Sequence, residues 1–490
     1  MSGENGVINV EPSAAVLSLK PVHSLEGHES LINTCSFSKD GNLIISSSAD
    51  GTVRLWHAGS GEQLASFDGH DGCMVQSCAF IPEGAKPIRK AFVHCSTRDS
   101  DTESEYSTSL SASPSLQSLT FSASPSLQSV ASKVAEIQGA GEDYAGQLVI
   151  SASDEDIKVW SLSDGKERAT MMIESDGTLQ GFALSPDGSK VLTNMDDQCM
   201  ILSTIGRRRA VMLDGHEGTA KSFVFSTDGK FILTSATDGS VKLWDSETGD
   251  EVVSYEGHSA SVWKALFSPD GFQVLTCSAD KSLRLWERDT GKQLKLLKGH
   301  NSAIHLCAYS PNGRWIASAS TSREIIVWHA RDGSKMFHIK AHEAAIWNIE
   351  FSADSMMLLS TTGGGEMKLW SMPHGKLLAV MSGHEEGVKS CSWSPHGNAL
   401  VSSSHDNTLK LWNMSKFHYK SYLGELAFTV NHIFRSCDLK IPFGLSKMVA
   451  EYTWPDLLQD LDLEQDFAPN EDPEKPPSPV IRRRVKSCKF

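Results

Sequence analysis

Seven histidines recur along the chain at nearly constant spacing, and this repeat constrains the fold more than any other feature. From His216 to His384 they lie 42 residues apart, and Trp stands 28 residues after six of the seven. The histidines are His28, His70, His216, His258, His300, His342 and His384. A fixed period near forty predicts a fold built from one small repeated unit that packs against its neighbours.

The unit at residues 257–297 shows the repeat in its clearest form. Apolar runs at 262–267, 273–278, 282–286 and 293–297 are separated by turn signals, of which Ser268-Pro269-Asp270-Gly271 is the first. Proline fixes φ and glycine accepts positive φ, so this tetrapeptide predicts a tight turn. Short β-rich runs with a turn every eight to twelve residues predict four antiparallel strands in each unit.

A Gly-His near the start of each unit and a Trp near its end resemble the WD-repeat family, over about residues 16–413. The resemblance implies a β-propeller and places His258, Thr276, Asp280 and Trp286 in the family's structural tetrad, a hydrogen-bonded chain from Trp to Asp. Such a chain satisfies a buried indole N–H, a hydroxyl and an imidazole together. The repeat histidines are therefore interpreted as structural, and not as metal ligands or catalytic bases.

Eight units are counted, which predicts an all-β fold with an eight-bladed propeller; seven blades are the alternative, if the third unit forms none. The units end at Trp56, Trp160, Ser203, Trp244, Trp286, Trp328, Trp370 and Trp412. In the family each repeat begins with the outer strand of the previous blade. Residues 16–25 are therefore expected to close the ring by completing the last blade.

Three units depart from the tetrad pattern. The third has Ser175-Asp176 in place of Gly-His, although Thr193 and Asp197 stand at the expected offsets. The sixth and seventh have Ser322 and Gly364 where the tetrad Asp is expected. These three blades are expected to be the least rigid.

Composition restricts the functional classes. The net charge of −15 argues against a nucleic-acid surface, which needs a basic footprint. Ten cysteines show no zinc or CxxC spacing, and Cys35, Cys307 and Cys391, each seven residues after a repeat His, are expected to be small buried core residues. The polar start and the lack of a long apolar stretch predict no signal peptide and no membrane span. We expect an intracellular protein, cytoplasmic or nuclear, without a nucleic-acid or membrane partner.

No catalytic motif is recognised in the sequence. There is no Walker loop, no HExxH and no GxSxG, and Gly363-Gly364-Gly365 is interpreted as a blade turn. No cofactor, metal site or catalytic residue is predicted. Three hypotheses are carried forward: an interaction scaffold, its sharper form as the substrate receptor of a cullin ubiquitin ligase, and an enzyme or small-ligand propeller.

The residue five places after a repeat His is expected to begin the innermost strand, at the rim of the central pore. These positions hold Asn33, Lys221, Trp263, His305, Trp347 and Lys389. The resemblance implies that this rim is a frequent peptide site. Two tryptophans and two lysines at one mouth are typical of a binding hot spot. The alternative is that these side chains line a wet channel and pack on each other.

Two segments outside the repeats are expected to be disordered or flexible. Residues 1–15 form a short N-terminal extension, and the Ser-rich residues 83–147 interrupt the second unit between its first and second strands. Such a segment buries too little apolar surface to offset its ordering entropy. Ser113 and Ser124, each followed by Pro, are candidate phosphorylation sites; the alternative is a neutral spacer loop.

The tail divides into an apolar part at residues 414–455 and an acidic, then basic, end at residues 456–490, which is expected to be disordered. The first part resembles a SOCS box. Leu423 and Leu426 lie on one stripe of an expected helix, and Ile441, Pro442 and Leu445 follow in the family's LP-x-x-L position. The resemblance implies binding to Elongin B/C and a cullin. The alternative is an amphipathic tail packed under the propeller.

Overall fold

The computed structural model of the chain describes residues 16–70, 72–82, 147–172, 179–195, 198–203, 210–372 and 374–417. These residues form eight sheets of successive antiparallel strands, with one helical turn at residues 415–417. The first four blades comprise β3 Ile32–Phe37, β4 Leu43–Ser48, β5 Thr52–His57 and β6 Gln63–Asp68; β7 Val75–Phe80, β8 Leu148–Ser153, β9 Asp156–Ser161 and β10 Glu167–Met172; β11 Leu179–Leu184, β12 Lys190–Met195, β13 Gln198–Ser203 and β14 Val211–Leu213; β15 Ala220–Phe225, β16 Phe231–Ala236, β17 Val241–Asp245 and β18 Glu251–Tyr255.

The second half of the ring repeats the same order of strands. Blades five to eight comprise β19 Val262–Phe267, β20 Gln273–Ser278, β21 Ser282–Glu287 and β22 Gln293–Lys298; β23 Ile304–Tyr309, β24 Trp315–Ser320, β25 Glu324–His329 and β26 Lys335–Lys340; β27 Ile346–Phe351, β28 Met357–Thr362, β29 Met367–Ser371 and β30 Leu377–Met381; β31 Val388–Trp393, β32 Ala399–Ser404 and β33 Leu409–Asn413. Two N-terminal strands, β1 Leu17–Leu19 and β2 His23–Leu25, join the last two blades.

The blades are arranged in a closed ring with the first strand of each innermost. Each first strand packs against the first strands of the two neighbouring blades, and β31 packs against β3. The core lies between blades: one apolar cluster joins Ile32 and Trp56 of blade one to Val401 and Leu409 of blade eight. The eight-bladed propeller is therefore confirmed, and the third unit forms a complete blade, β11–β14.

The N-terminal segment closes the ring differently from the prediction. Only His23–Leu25 completes the last blade, where Leu25 stands opposite Leu409 in antiparallel register. Leu17–Leu19 instead adds a fifth strand to blade seven, parallel to β30. The expectation that all of residues 16–25 belong to the last blade is therefore wrong for β1. The physical reason lies in the outer edge of β30, whose backbone groups β1 pairs, with Leu17 and Leu19 beside the apolar Ala379 and Met381.

The insertion follows β7 and precedes β8, between the first and second strands of blade two. Several predictions concern residues outside the described ranges: the N-terminal extension, nearly all of the Ser-rich insertion with its two Ser-Pro sites, and the tail with Leu423, Leu426, Ile441, Pro442 and Leu445. Within the described ranges, no helix is long and apolar enough to cross a membrane.

Candidate peptide-binding rim

Hydrogen-bonded tetrads hold the blades that carry the rim. In blade five, Trp286 Nε1 donates to Thr276 Oγ1 at 2.9 Å, and that hydroxyl lies 2.7 Å from His258 Nε2. His258 Nδ1 lies 2.7 Å from Asp280 Oδ2. Blades one and eight have the same arrangement around His28 and His384. The His258 side chain has no exposed surface, so it is engaged in structure and not presented to a ligand.

Two blades close the tetrad with a different acid from the one expected. In blade seven, where Gly364 occupies the Asp position, His342 Nδ1 lies 2.8 Å from Glu366 Oε2. The expectation that this blade lacks its acid is therefore wrong, because an acid two residues later reaches the same imidazole. Blade two uses Asp156, at the strand position that Glu366 occupies in blade seven. In blade three, Thr193 Oγ1 donates to the Gly181 carbonyl.

Blade six leaves its tetrad open. His300 Nε2 lies 2.8 Å from Ser318 Oγ, but the buried His300 Nδ1 has no hydrogen-bond partner. Glu324 stands at the position of Glu366, yet its Oε2 lies 3.2 Å from His338 Nε2 instead. Burial, together with the nearby His338 and Lys335, lowers the pKa of His300 to about 3. This histidine is therefore neutral at physiological pH.

The rim residues lie in β-bulges. In blade five the strand register passes from Val262 to Lys264, so Trp263 is the extra residue in its strand. The same shift occurs around Asn33, Lys221, His305, Trp347 and Lys389. A bulge re-aims one side chain out of the regular alternation. The prediction that these residues begin the innermost strand is off by one, because each stands second.

Two tryptophans dominate one side of the rim. Trp263 and Trp347 are 42% and 39% exposed, on blades five and seven. Lys221 of blade four places its Nζ 6.0 Å from the Trp263 ring centroid, within cation–π range. His305 of blade six lies between the two tryptophans in ring order. Four successive blades thus carry a cation, an indole, an imidazole and a second indole.

Trp347 is held in place by its neighbours. Its indole lies against Gly363 and Gly387, and its ring centroid is 5.1 Å from that of His405. A Cβ at position 363 would stand 2.7 Å from Trp347 Cε2. An exposed indole that is fixed before binding loses little conformational entropy when a ligand arrives.

His305 and Asn33 are used within the protein. His305 Nε2 donates to the Ile346 carbonyl at 2.8 Å, and burial lowers the pKa of this imidazole. Asn33 is only 1% exposed; its Nδ2 donates to the Val75 carbonyl, and its Oδ1 accepts from Lys389 Nζ at 2.7 Å. The prediction of Asn33 as an open contact residue is therefore wrong: it is a buried link between blades eight, one and two.

Comparison with known proteins supports the same fold. Residues 178–362 match the family described as the IFT122 first beta-propeller, and residues 19–57 and 375–413 match the WD domain, G-beta repeat. The chain is a WD-repeat β-propeller.

Individual relatives share parts of this propeller. Nuclear distribution protein PAC1 of Arthroderma otae is 24% identical over 190 residues, which cover 39% of each protein. The Notchless protein homolog of Arabidopsis thaliana is 44% identical over 62 residues, covering 13% of this chain and 12% of that protein. The crystal structure of the computationally designed Ika8 protein is 24% identical with a TM-score of 0.58, covering 81% of this chain and 99% of that one, and it shows the fold alone. The match with PAC1 thus spans about two fifths of that relative's length.

A fixed offset from the repeat His missed one rim residue of the WD-repeat propeller. In blade two the loop after His70 is one residue longer, so the bulge falls on Gln76, between Val75 and Ser77. Gln76 Nε2 donates to Asp154 Oδ1 at 2.9 Å. The alternation of Val75, Gln76 and Ser77 after the loop was the sequence signal that could have located this bulge. Gln76 lies on blade two, on the side of the ring away from the two tryptophans.

The innermost strands of the WD-repeat propeller also carry buried thiols. Cys35, Cys307 and Cys391 are at most 8% exposed, as predicted for small core residues. Burial raises the pKa of Cys35 to about 12, so its thiol stays protonated. Cys391 donates to Glu350 Oε2 at 3.4 Å, and burial raises the pKa of Glu350 to about 7. In the described ranges, no three His, Cys, Asp or Glu side chains are placed to hold a metal ion.

Proposed function

We propose that this chain is a non-catalytic protein-interaction scaffold whose pore rim binds an extended peptide segment of a partner. The proposed contact residues are Lys221, Trp263, His305, Trp347 and Lys389. The observation that carries the proposal is the exposure of Trp263 and Trp347 at β-bulges of two inner strands. The tetrad tryptophans, by contrast, are at most 4% exposed. Aromatic anchors that remain open to solvent on a fixed framework are typical of interface hot spots.

The charges beside the tryptophans favour an acidic partner segment. The Lys221 ammonium already lies over the Trp263 ring, so a cationic side chain from a partner would meet a like charge there. A carboxylate or phosphate would instead meet Lys221 and, on the blade that follows Trp347, Lys389. Both lysine side chains are exposed. The local positive charge contrasts with the chain's net charge of −15.

Selection from a displayed library of random peptides tests this proposal. Peptides selected on the unchanged protein should be rich in Asp and Glu, and the double variant Trp263→Ala, Trp347→Ala should lose their binding. Phe272→Ala is the matched control, because Phe272 is 67% exposed but stands in the turn between β19 and β20, at the opposite end of the inner strand. Selected peptides that bind the tryptophan double variant as well as the unchanged protein would exclude the rim.

A more specific role is proposed from the tail sequence alone. Residues 423–452 resemble a SOCS box, and we propose that Leu423, Leu426, Ile441, Pro442 and Leu445 bind Elongin B/C and a cullin, so that the propeller delivers substrates to a ubiquitin ligase. The alternative is a general WD-repeat assembly scaffold with no ubiquitin role. Purified full-length chain mixed with Elongin B and C should form a complex on gel filtration, and Leu423→Asp with Leu426→Asp should abolish it. No complex with the unchanged chain would leave the general scaffold.

A further inference from the structure

Blade five has more exposed large apolar side chains than any other blade in the described part of the chain. Of the seven such side chains in the described residues, four lie in blade five: Trp263 at the rim, Phe272 in a turn, and Leu294 and Leu296 on β22. Single exposed leucines are ordinary on protein surfaces. Leu294 and Leu296, however, are 41% and 38% exposed and two residues apart, so they share one face of a single strand.

Strand β22 is an open edge. It pairs with β21 on its inner side and is the last strand of its sheet. An edge strand presents unpaired N–H and C=O groups that an extended chain can pair with. The outer side of β22 therefore combines free backbone hydrogen-bonding groups with two exposed leucines.

Blade seven shows an outer edge of the same kind already occupied. Its outer strand β30 pairs in parallel with β1, and the Leu-x-Leu of β1 places Leu17 opposite Ala379 and Leu19 opposite Met381. Ala379 and Met381 are fully buried. The outer edge of a blade in this propeller thus accepts an extended segment with alternating leucines.

The charges on β22 define what such a segment must carry. Lys292 and Lys298 flank the two leucines and are exposed, while Lys295 between them donates to the Arg331 carbonyl. No acidic residue lies between positions 292 and 298. Two copies of β22 side by side would bring lysines together, which disfavours pairing between identical chains. A segment bearing carboxylates would be attracted instead.

We propose that β22 is a strand-addition site for an extended segment of a partner protein that carries two apolar residues, two positions apart, flanked on each side at the same spacing by Asp or Glu. Backbone pairing supplies the attachment, the apolar side chains cover Leu294 and Leu296, and the carboxylates meet Lys292 and Lys298. This site lies on the circumference and is independent of the rim.

A fluorescein-labelled synthetic peptide of sequence Glu-Thr-Leu-Thr-Leu-Thr-Glu, whose leucines and glutamates share one face when it is extended, tests the proposal by fluorescence anisotropy at low ionic strength. The full chain should bind it, and the complex should weaken as salt is added. Leu294→Thr with Leu296→Thr keeps β-forming side chains and should weaken binding at least tenfold. Lys292→Glu with Lys298→Glu should do the same. Val252→Thr, a matched change on the outer strand of blade four, should leave binding unchanged.

Hydrogen exchange locates the peptide. Amides in Gln293–Lys298 should become protected when it binds, and the Trp263→Ala, Trp347→Ala variant should show the same protection, which separates this site from the rim. Absence of binding, or protection elsewhere, overturns the proposal. A peptide-free dimer of the unchanged chain that the threonine double variant dissociates also overturns it, because the occupant would then be a second copy.

Discussion

The indole of Trp347 lies so close to Gly363 that a Cβ at that position would stand 2.7 Å from Cε2 and 2.8 Å from Cζ2. Gly364, the next residue, has only Ala344 Cβ at 3.6 Å and Thr362 Oγ1 at 3.9 Å around the same hypothetical atom. Neither glycine has a positive φ, so alanine is compatible with both backbones. Alanine at position 363 would therefore push against the Trp347 indole, whereas alanine at position 364 changes the same turn without touching it.

We expect Gly363→Ala to displace the Trp347 indole and Gly364→Ala to leave it in place. Tryptophan emission should shift in the first variant only, and peptides selected on the rim should bind that variant more weakly. Both variants should stay within about 1 kcal/mol of the unchanged protein in unfolding free energy, the usual range for surface changes. Equal behaviour of the two variants would show that Trp347 is not held by Gly363.

Tryptophans in the tetrad and at the rim should differ in what they contribute to stability. Trp286→Ala opens a cavity and removes the donor to Thr276, so the unfolding free energy should fall by about 3–5 kcal/mol. Trp263→Ala, at an exposed position, should change it by less than about 1 kcal/mol. Denaturant unfolding of the two variants provides the comparison, and a large loss at Trp263 would count against a binding role.

The histidine of blade six should make stability depend on pH. Burial lowers the pKa of His300 to about 3, whereas the unfolded chain takes up the same proton near pH 6.5. Between these values the unfolded state binds more protons, so stability is full above pH 6.5 and falls as the pH drops towards 3. His300→Gln should flatten this slope by at most one proton, about 1.4 kcal/mol per pH unit. Urea unfolding of both proteins at pH 7.5, 6 and 5 measures the difference, and parallel curves would contradict the expectation.

Blade six should be stabilised by giving it the acid arrangement of blade five. The double variant Ser322→Asp, Glu324→Ser reproduces the spacing of Asp280 and Ser282, which close the tetrad around His258. An acceptor for His300 Nδ1 should add about 1 kcal/mol to the unfolding free energy at pH 7.5. A decrease would indicate that the contact of Glu324 with His338 matters more than the open tetrad.

The two N-terminal strands should differ in their importance for closure. Leu25 is 1% exposed and packs with Ile32, Trp56 and Leu409 across the seam, so Leu25→Asp should cost about 3 kcal/mol or more. Leu17→Asp affects only the half-buried β1 and should cost about 1 kcal/mol. Thermal unfolding of both variants tests this order.

The repeat of His and Trp predicted seven of the eight blades, because each marks a unit that must bury both faces. The third unit has neither residue, and its prediction depended on Thr193 and Asp197 at their usual offsets. The fifth strand of blade seven was not predictable, since Leu17-Ser18-Leu19 is too short to show a period and parallel edge pairing leaves no turn signal. Glu366 and Asp156 were missed because the network needs an acid within reach of Nδ1 and not at one fixed offset. The burial of Asn33 was missed for a related reason: spacing places a residue in a bulge but does not say whether its neighbours surround it.

The seam between the first and last blades has a consequence for biosynthesis. Residues 17–25 leave the ribosome before any of the eight blades, yet their partners are Ala379–Met381 and Leu409–Leu411. Pairing across so long a stretch of chain is intrinsically slow, because the entropy of loop closure is lost before the strand contacts can offset it. These two strands must therefore wait unpaired while the blades are synthesised, and the ring is completed only when the last strand made, β33, meets β2.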